Sequence, residues 1–210
     1  MVRGIDCALD CRNRAAPIQA AEVAVVGRYY RWPTSKYKTL DHEEALMLSQ
    51  SGLEILALWE WNSNELSNFG YRNGVDQGSS AFNQALKAHQ PPGTPIYFAV
   101  DDDYDTAAIA GTISDYFRGV SDAFALLSAG GPTYRIGVYG SGLTCDWLVA
   151  HSQVTHTWLA HAPKWRGATS FQMWNVKQNH QDFGIEGLTA PRDYDGDDVN
   201  ADAGAFQVTV

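Results

Sequence analysis

The 210-residue chain lacks the basic surplus that a phosphate backbone demands: 15 Lys and Arg stand against 24 Asp and Glu, a formal charge of −9. This excludes nucleic acid as the expected partner, because neutralising phosphates needs clustered Lys and Arg. Long apolar runs are missing too, and nothing approaches the ~20 residues that span a bilayer. The first residues, MVRGIDCALD, carry a charge at Arg3 and enter a strand pattern at once, without the apolar stretch of a signal peptide. An exported chain would then need lysis or a dedicated secretion machine. Cysteine is scarce: Cys7, Cys11 and Cys145 are odd in number and lack the spacing of a disulfide framework. A Cys-x3-Cys pair with a distant third is compatible with zinc, but buried free thiols are commoner, so neither metal nor cofactor is expected. Low-complexity linkers and fixed-period repeats are absent, and residues 1–210 read as one domain, expected to act as a monomer.

What is present is alternation. Short apolar, β-branched or aromatic runs occur at GIDCA (4–8), AVVGRYY (24–30), LEILALWEW (53–61), PIYFAVD (95–101), RIGVYGS (135–141), THTWLAHA (155–162), SFQMWNV (170–176) and, more weakly, RDYD (192–195). Helical patterns fall between them: DHEEALMLSQSG, with Asp41 as N-cap and Gly52 as stop, then 79–88, 106–129 and 143–150. Strands alternating with helices imply parallel pairing. Seven or eight such units in this length suit a single (β/α)8 TIM-type barrel, with room for short or irregular last units.

Polar and aromatic residues close the apolar runs. Asp6 ends the first, Arg28 and Tyr30 the second, Trp59, Glu60 and Trp61 the third, and Asp101 and Asp103 the fourth. Tyr139 and Ser141 follow on the fifth, His161 on the sixth, Trp174 and Asn175 on the seventh, Asp193 and Asp195 on the eighth. In a (β/α)8 barrel these ends meet at one face, so an acidic, aromatic-lined pocket is expected. Residues two apart share a strand face, which aims Asp101 and Asp103 at one substrate and turns Asp102 away. Paired carboxylates suit glycoside hydrolysis, and their mutual repulsion keeps one protonated. Trp59, Trp61, Tyr139 and Trp174 would offer flat faces for sugar rings. Asp105 reads instead as the N-cap of the next helix.

Two other motifs share these residues. Asp101, Asp103 and Asp105 have the spacing of a calcium loop, as do Asp198, Asn200 and Asp202, but neither has Gly at position six or an acid at twelve. Asp103, Asp105 and Thr106 also match the D-x-D-x-T motif of haloacid-dehalogenase-type phosphatases, with GDDVN as the late acidic motif around Mg2+. That reading leaves three earlier strands unexplained.

The ordered series GIDCA, GRYY, ALWEW, GTPIYFAVDDDYD, RIGVYGSG, TWLAHA, FQMWN and DYD resembles the glycoside-hydrolase-like (β/α)8 domain of bacterial cell-envelope and phage-related proteins, itself similar to family-25 muramidases. The resemblance runs over about residues 3 to 206. It implies cleavage of peptidoglycan or a related amino-sugar polymer, and an extracellular or cell-envelope location. It gives catalytic roles to Asp6, Asp101, Asp103 and Asp193, with Asp103 at the position of the muramidase general acid. Tyr139 and Trp174 fall at its cleft-lining aromatic positions; Glu60, Trp59, Trp61, Asp195 and His161 complete the expected substrate-binding set. A muramidase carries Glu where this chain has Asp103, and drawing a carboxyl back by one methylene can lower a rate ~100-fold. A catalytically silent glycan-binding domain is the alternative.

Overall fold

A computed structural model describes residues 1–188 and 194–209. Eight strands, β1 (Val2–Asp6), β2 (Val25–Tyr30), β3 (Glu54–Trp59), β4 (Pro95–Val100), β5 (Arg135–Gly140), β6 (His156–Leu159), β7 (Val176–His180) and β8 (Asp195–Val199), close into a barrel in chain order. The helices are α1 (Ala15–Ala20), α2 (His42–Gln50), α3 (Tyr71–Lys87), α4 (Thr106–Ala108), α5 (Ser114–Ser128) and α6 (Gly142–Ala150), with a π-helical turn at Ile109–Ile113 joining α4 to α5. Asp41 and Asp105 cap α2 and α4 as expected, their carboxylates accepting from Glu44 N and Ala108 N.

The period of two divides each strand between two apolar layers. Val25, Leu56, Leu58, Tyr97, Trp158, Val176 and Val199 fill the barrel interior, whereas Ile5, Val26, Ile55, Phe98 and Val138 face the helices. Gly27 lies on the inner face of β2, where a Cβ would stand 2.7 Å from the Trp158 ring, so its missing side chain makes room for that indole.

The last two units depart from the repeat. β8 runs antiparallel to both β7 and β1, not parallel as the alternation implied. Among the described residues no helix joins β6 to β7, which are parallel, or β7 to β8, which as antiparallel neighbours need none. β7 starts at Val176, where the expected strand ended, and β8 begins at Asp195. Reversal brings the N-terminal end of β8 to the face where the other strands end, setting Asp195 opposite Asp6.

Candidate active site

The inner-face parity decides which strand-end residues meet. On β1 it selects Asp6, on β2 Tyr29, beyond β3 Glu60, beyond β4 Asp101, on β5 Tyr139, on β7 Gln178 and on β8 Asp195 with Asp197 below it. Asp6 is 4% exposed and accepts from the Tyr29 hydroxyl and, at 3.0 Å, from Gln178 Nε2. The same amide nitrogen donates to Asp195 at 3.1 Å, while Gln178 Oε1 accepts from the Tyr139 hydroxyl and the His161 backbone N–H, both at 3.1 Å. One glutamine thus holds two carboxylates and a tyrosine in fixed relation. Beneath it, Asp197 accepts from the Trp158 indole N–H at 3.0 Å; its second oxygen is buried without a partner.

Asp101 closes the other side. It lines a cavity of about 510 Å³ together with Arg31, Lys36, Glu60, Trp61 and Ser63. The Arg31 guanidinium pairs with Glu60 and lies over the Tyr29 ring at 4.5 Å and the Tyr37 ring at 5.1 Å, which fixes both charges at the mouth.

Burial dominates the acid–base character of the cleft. It pushes the Asp6 carboxyl up to about 7, helped by the charge of Asp195 and opposed by the Tyr29 and Gln178 hydrogen bonds. Burial, then Glu60, Asp102 and Asp195, raises Asp101 to about 6. Asp195 and Glu60 are raised chiefly by burial, and Asp197 is raised well above the carboxylate range by burial and then by Asp6. The Tyr139 hydroxyl is raised well above its ordinary value by burial first, and then by the charges of Asp101 and Asp6. Such a site can hold protons near neutrality and release them to a bound substrate.

Several expected participants lie elsewhere. The Asp103 carboxylate turns to the loop after β6, accepting from Arg166 N at 2.8 Å and pairing with the Arg166 guanidinium at 3.2 Å. The strand ends at Val100, so alternation no longer governs position 103. Trp59 is 1% exposed on the outer face, its indole N–H donating to Gln77 at 2.7 Å, and has no surface to offer a sugar. Trp174 packs against the outer apolar layer, with Lys177 Nζ 5.9 Å from its ring. Arg28 and Tyr30 also face outward and are fully buried. His161 lines a smaller cavity of about 230 Å³ beside Gln178. Asp193 lies outside the described residues.

Tyr29, Arg31, Gln178 and Asp197 were not anticipated. Tyr29 is adjacent to both residues selected on β2, and correct parity alone would have found it. In the phosphatase motif, Asp105 caps a helix and GDDVN is largely inside β8, within a closed barrel rather than the open sheet that motif serves. The Cys7 and Cys11 sulfurs lie 3.2 Å apart at the end of β1, while Cys145 sits on α6. Among the described residues no group of three or more His, Cys, Asp or Glu side chains is arranged to hold a metal ion, and no helix is long and apolar enough to cross a membrane.

Residues 16–201 match the model of the Rv2525c-like, glycoside hydrolase-like domain. The chain belongs to this family. A relative, the uncharacterized protein YbfG of Bacillus subtilis, is 32% identical over 104 residues, covering 49% of this chain and 14% of YbfG. The family member therefore spans about one seventh of that relative's length. The fold is shared with the Tat-secreted protein Rv2525c of Mycobacterium tuberculosis, at a TM-score of 0.79, 21% identity, and 97% and 98% coverage of the two chains. It is also shared with the modular autolysin LytC of Streptococcus pneumoniae, solved with a synthetic peptidoglycan ligand, at 0.60, 14%, and 93% and 46%. A family-25 glycosyl hydrolase from Bacillus anthracis aligns at 0.54 and 9% identity, over 94% and 88% of the chains, so the muramidase likeness is one of fold.

Proposed function

We propose that this domain is a glycoside hydrolase acting on peptidoglycan or a related amino-sugar polymer, in the cell envelope or outside the cell. The observation that carries the reading is that a protonatable Asp101 and the Asp6–Gln178–Asp195 bridge stand at the same end of the barrel. Asp101 is the proton donor to the leaving glycosidic oxygen, because it faces the cavity and holds its proton up to about pH 6. Asp6 and Asp195 steer the attacking water or the substrate's own N-acetyl group, Asp195 taking the part that the family resemblance gives to Asp193. Tyr139 and Trp61 contact the sugar, and Arg31 with Glu60 fixes the rim. The secreted and peptidoglycan-bound neighbours of the same fold support substrate class and location.

Asp103, the acid that the resemblance implies, is engaged by Arg166, and this favours a second reading: glycan binding without cleavage. Release of reducing ends from purified peptidoglycan separates the two. The wild type is expected to release them, Asp101→Asn to lose at least ~100-fold, the lower range for a general acid, and Asp103→Asn to stay near wild type. Equal release by all three would sink the assignment of Asp101. Retention on peptidoglycan with no release by any of them would establish the binding module.

A further inference from the structure

On the outside of the barrel, next to the cleft, Trp32, Trp61 and one face of α3 enclose a second cavity of about 480 Å³. Trp61 lines both cavities and so stands between them. The floor is rigid. Trp32 stands edge-on to buried Trp59 at 5.3 Å, and Gln77 accepts from the Trp59 indole at 2.7 Å and the Tyr116 hydroxyl at 2.8 Å.

Gln77 and Ser79 of α3 line the cavity together with Asn73, Asp76, Ser80 and Asn83, the last four spaced three or four residues apart and hence on one helix face. Those four are weak helix formers where Lys, Glu or Ala would hold the helix better. The Asn73 amide donates to Ser67 O and Phe69 O, and the Asn83 amide to Ser79 O, which orients each side-chain carbonyl. Among the described residues no Lys or Arg lines the cavity, and its single formal charge is Asp76. Phosphorylated and other polyanionic ligands are thereby disfavoured. Two half-buried indoles beside short amide, hydroxyl and carboxylate acceptors suit a neutral polyhydroxylated ring, apolar on its faces and donating at its rim.

We infer that this groove is a glycan-holding subsite outside the catalytic cleft, which takes the part of an amino-sugar chain that leaves the cleft over Trp61. The choice of an amino-sugar chain rests on the glycan reading above; the groove's binding is tested separately from cleavage. Calorimetric titration with the soluble β-1,4-linked hexasaccharide of N-acetylglucosamine is the test. Trp32→Ala is expected to weaken binding about tenfold, the range of an aromatic anchor. Asp76→Ala/Asn83→Ala is expected to weaken it similarly while leaving thermal stability equal or higher, since alanine favours the helix. Reduced binding by this pair therefore cannot come from a damaged fold. Wild-type affinity in both variants, or no binding by the wild type, overturns the groove. If peptidoglycan is not cleaved yet both variants weaken hexasaccharide binding, the hydrolase reading falls and the subsite stands.

Discussion

Outside the barrel wall, beneath α2, Arg28 and Glu44 are both wholly buried, and every charge is answered. Arg28 Nε donates to Glu44 at 2.6 Å and its terminal nitrogens to Glu44, Cys7 O and Lys38 O, while Cys11 N donates to the same carboxylate at 2.7 Å. Inside the wall, Asp6, Asp195 and Asp197 gather with no basic side chain bonded to any of them among the described residues; amide, hydroxyl and indole donors are their partners. Burial is similar for Glu44, Asp6 and Asp197, but the charge balance is opposite. A buried pair with complete hydrogen bonding can stay ionised, whereas buried acids with neutral partners keep their protons. The outer pair ties β2 to α2, and the inner acids hold protons at the end of the barrel where Asp101 also stands.

Breaking the outer pair should have the largest effect. Glu44→Gln leaves the Arg28 guanidinium buried without a counter-charge, and a loss of ~3–5 kcal/mol is expected in urea unfolding. Replacing both residues with methionine should lose less, because no charge is then stranded. A double variant as unstable as the single one would show that packing, not charge pairing, governs that site.

The inner acids should respond to pH in the contrary sense. The folded Asp6 carboxyl sits at about 7, above the ordinary 3.8, so the folded state binds more protons between those values. The group therefore costs nothing below about pH 4, and stability falls as pH rises to about 7. Asp6→Asn should reduce the drop in stability between pH 4 and pH 8 by ~2–4 kcal/mol, since a tenfold change in proton affinity between the folded and unfolded chain is worth about 1.4 kcal/mol. An unchanged pH dependence would remove Asp6 from the proton-holding set. Asp101, raised to about 6, must be protonated to act as an acid. Hydrolysis should accordingly decline above about pH 6, and a rate that keeps rising to pH 8 would rule out Asp101 as donor.

The difference between wall faces also explains what could be read from sequence. β1 to β6 and the capped helices were legible because apolar runs, caps and stops are local signals. Acids at the end of β1 and β4 were legible for the same reason. Facing is a matter of one residue: Arg28, Trp59 and Tyr30 sit beside Tyr29 and Glu60 in sequence but across the wall in space. Register depends on the barrel's closure, which no local pattern encodes. The failure was largest at the end of the chain, where β7 is VKQNH and β8 is DGDDV. Those strands carry too few apolar residues to announce themselves: only Val176 and Val199 join the core, Gln178, Asp195 and Asp197 share their inner face, and the outer face carries Lys177, Asn179, Gly196 and Asp198. Gln178, the hub of the cleft, was missed with them.

The smallest expected effect tests the boundary between the two kinds of carboxylate. Asp103 follows the inner acid Asp101 by two residues, yet its carboxylate is held like a surface ion pair, with the Arg166 side chain 51% exposed. Water screens such a pair, and its contribution is ~0.2–1 kcal/mol. The Arg166 N–H bond to Asp103 does more than the charge, because it ties the loop after β6 to the end of β4. Asp103→Asn retains an oxygen able to accept that bond, so unfolding should shift by less than ~1 kcal/mol and peptidoglycan cleavage by only a few-fold. Asp103→Ala removes the tie and should raise amide exchange in residues 163–167 without moving the pH at which activity declines. If Asp103→Asn instead abolishes cleavage while Asp101→Asn retains it, the loop must release Asp103 when substrate binds, and the proton donor is the residue held here by Arg166.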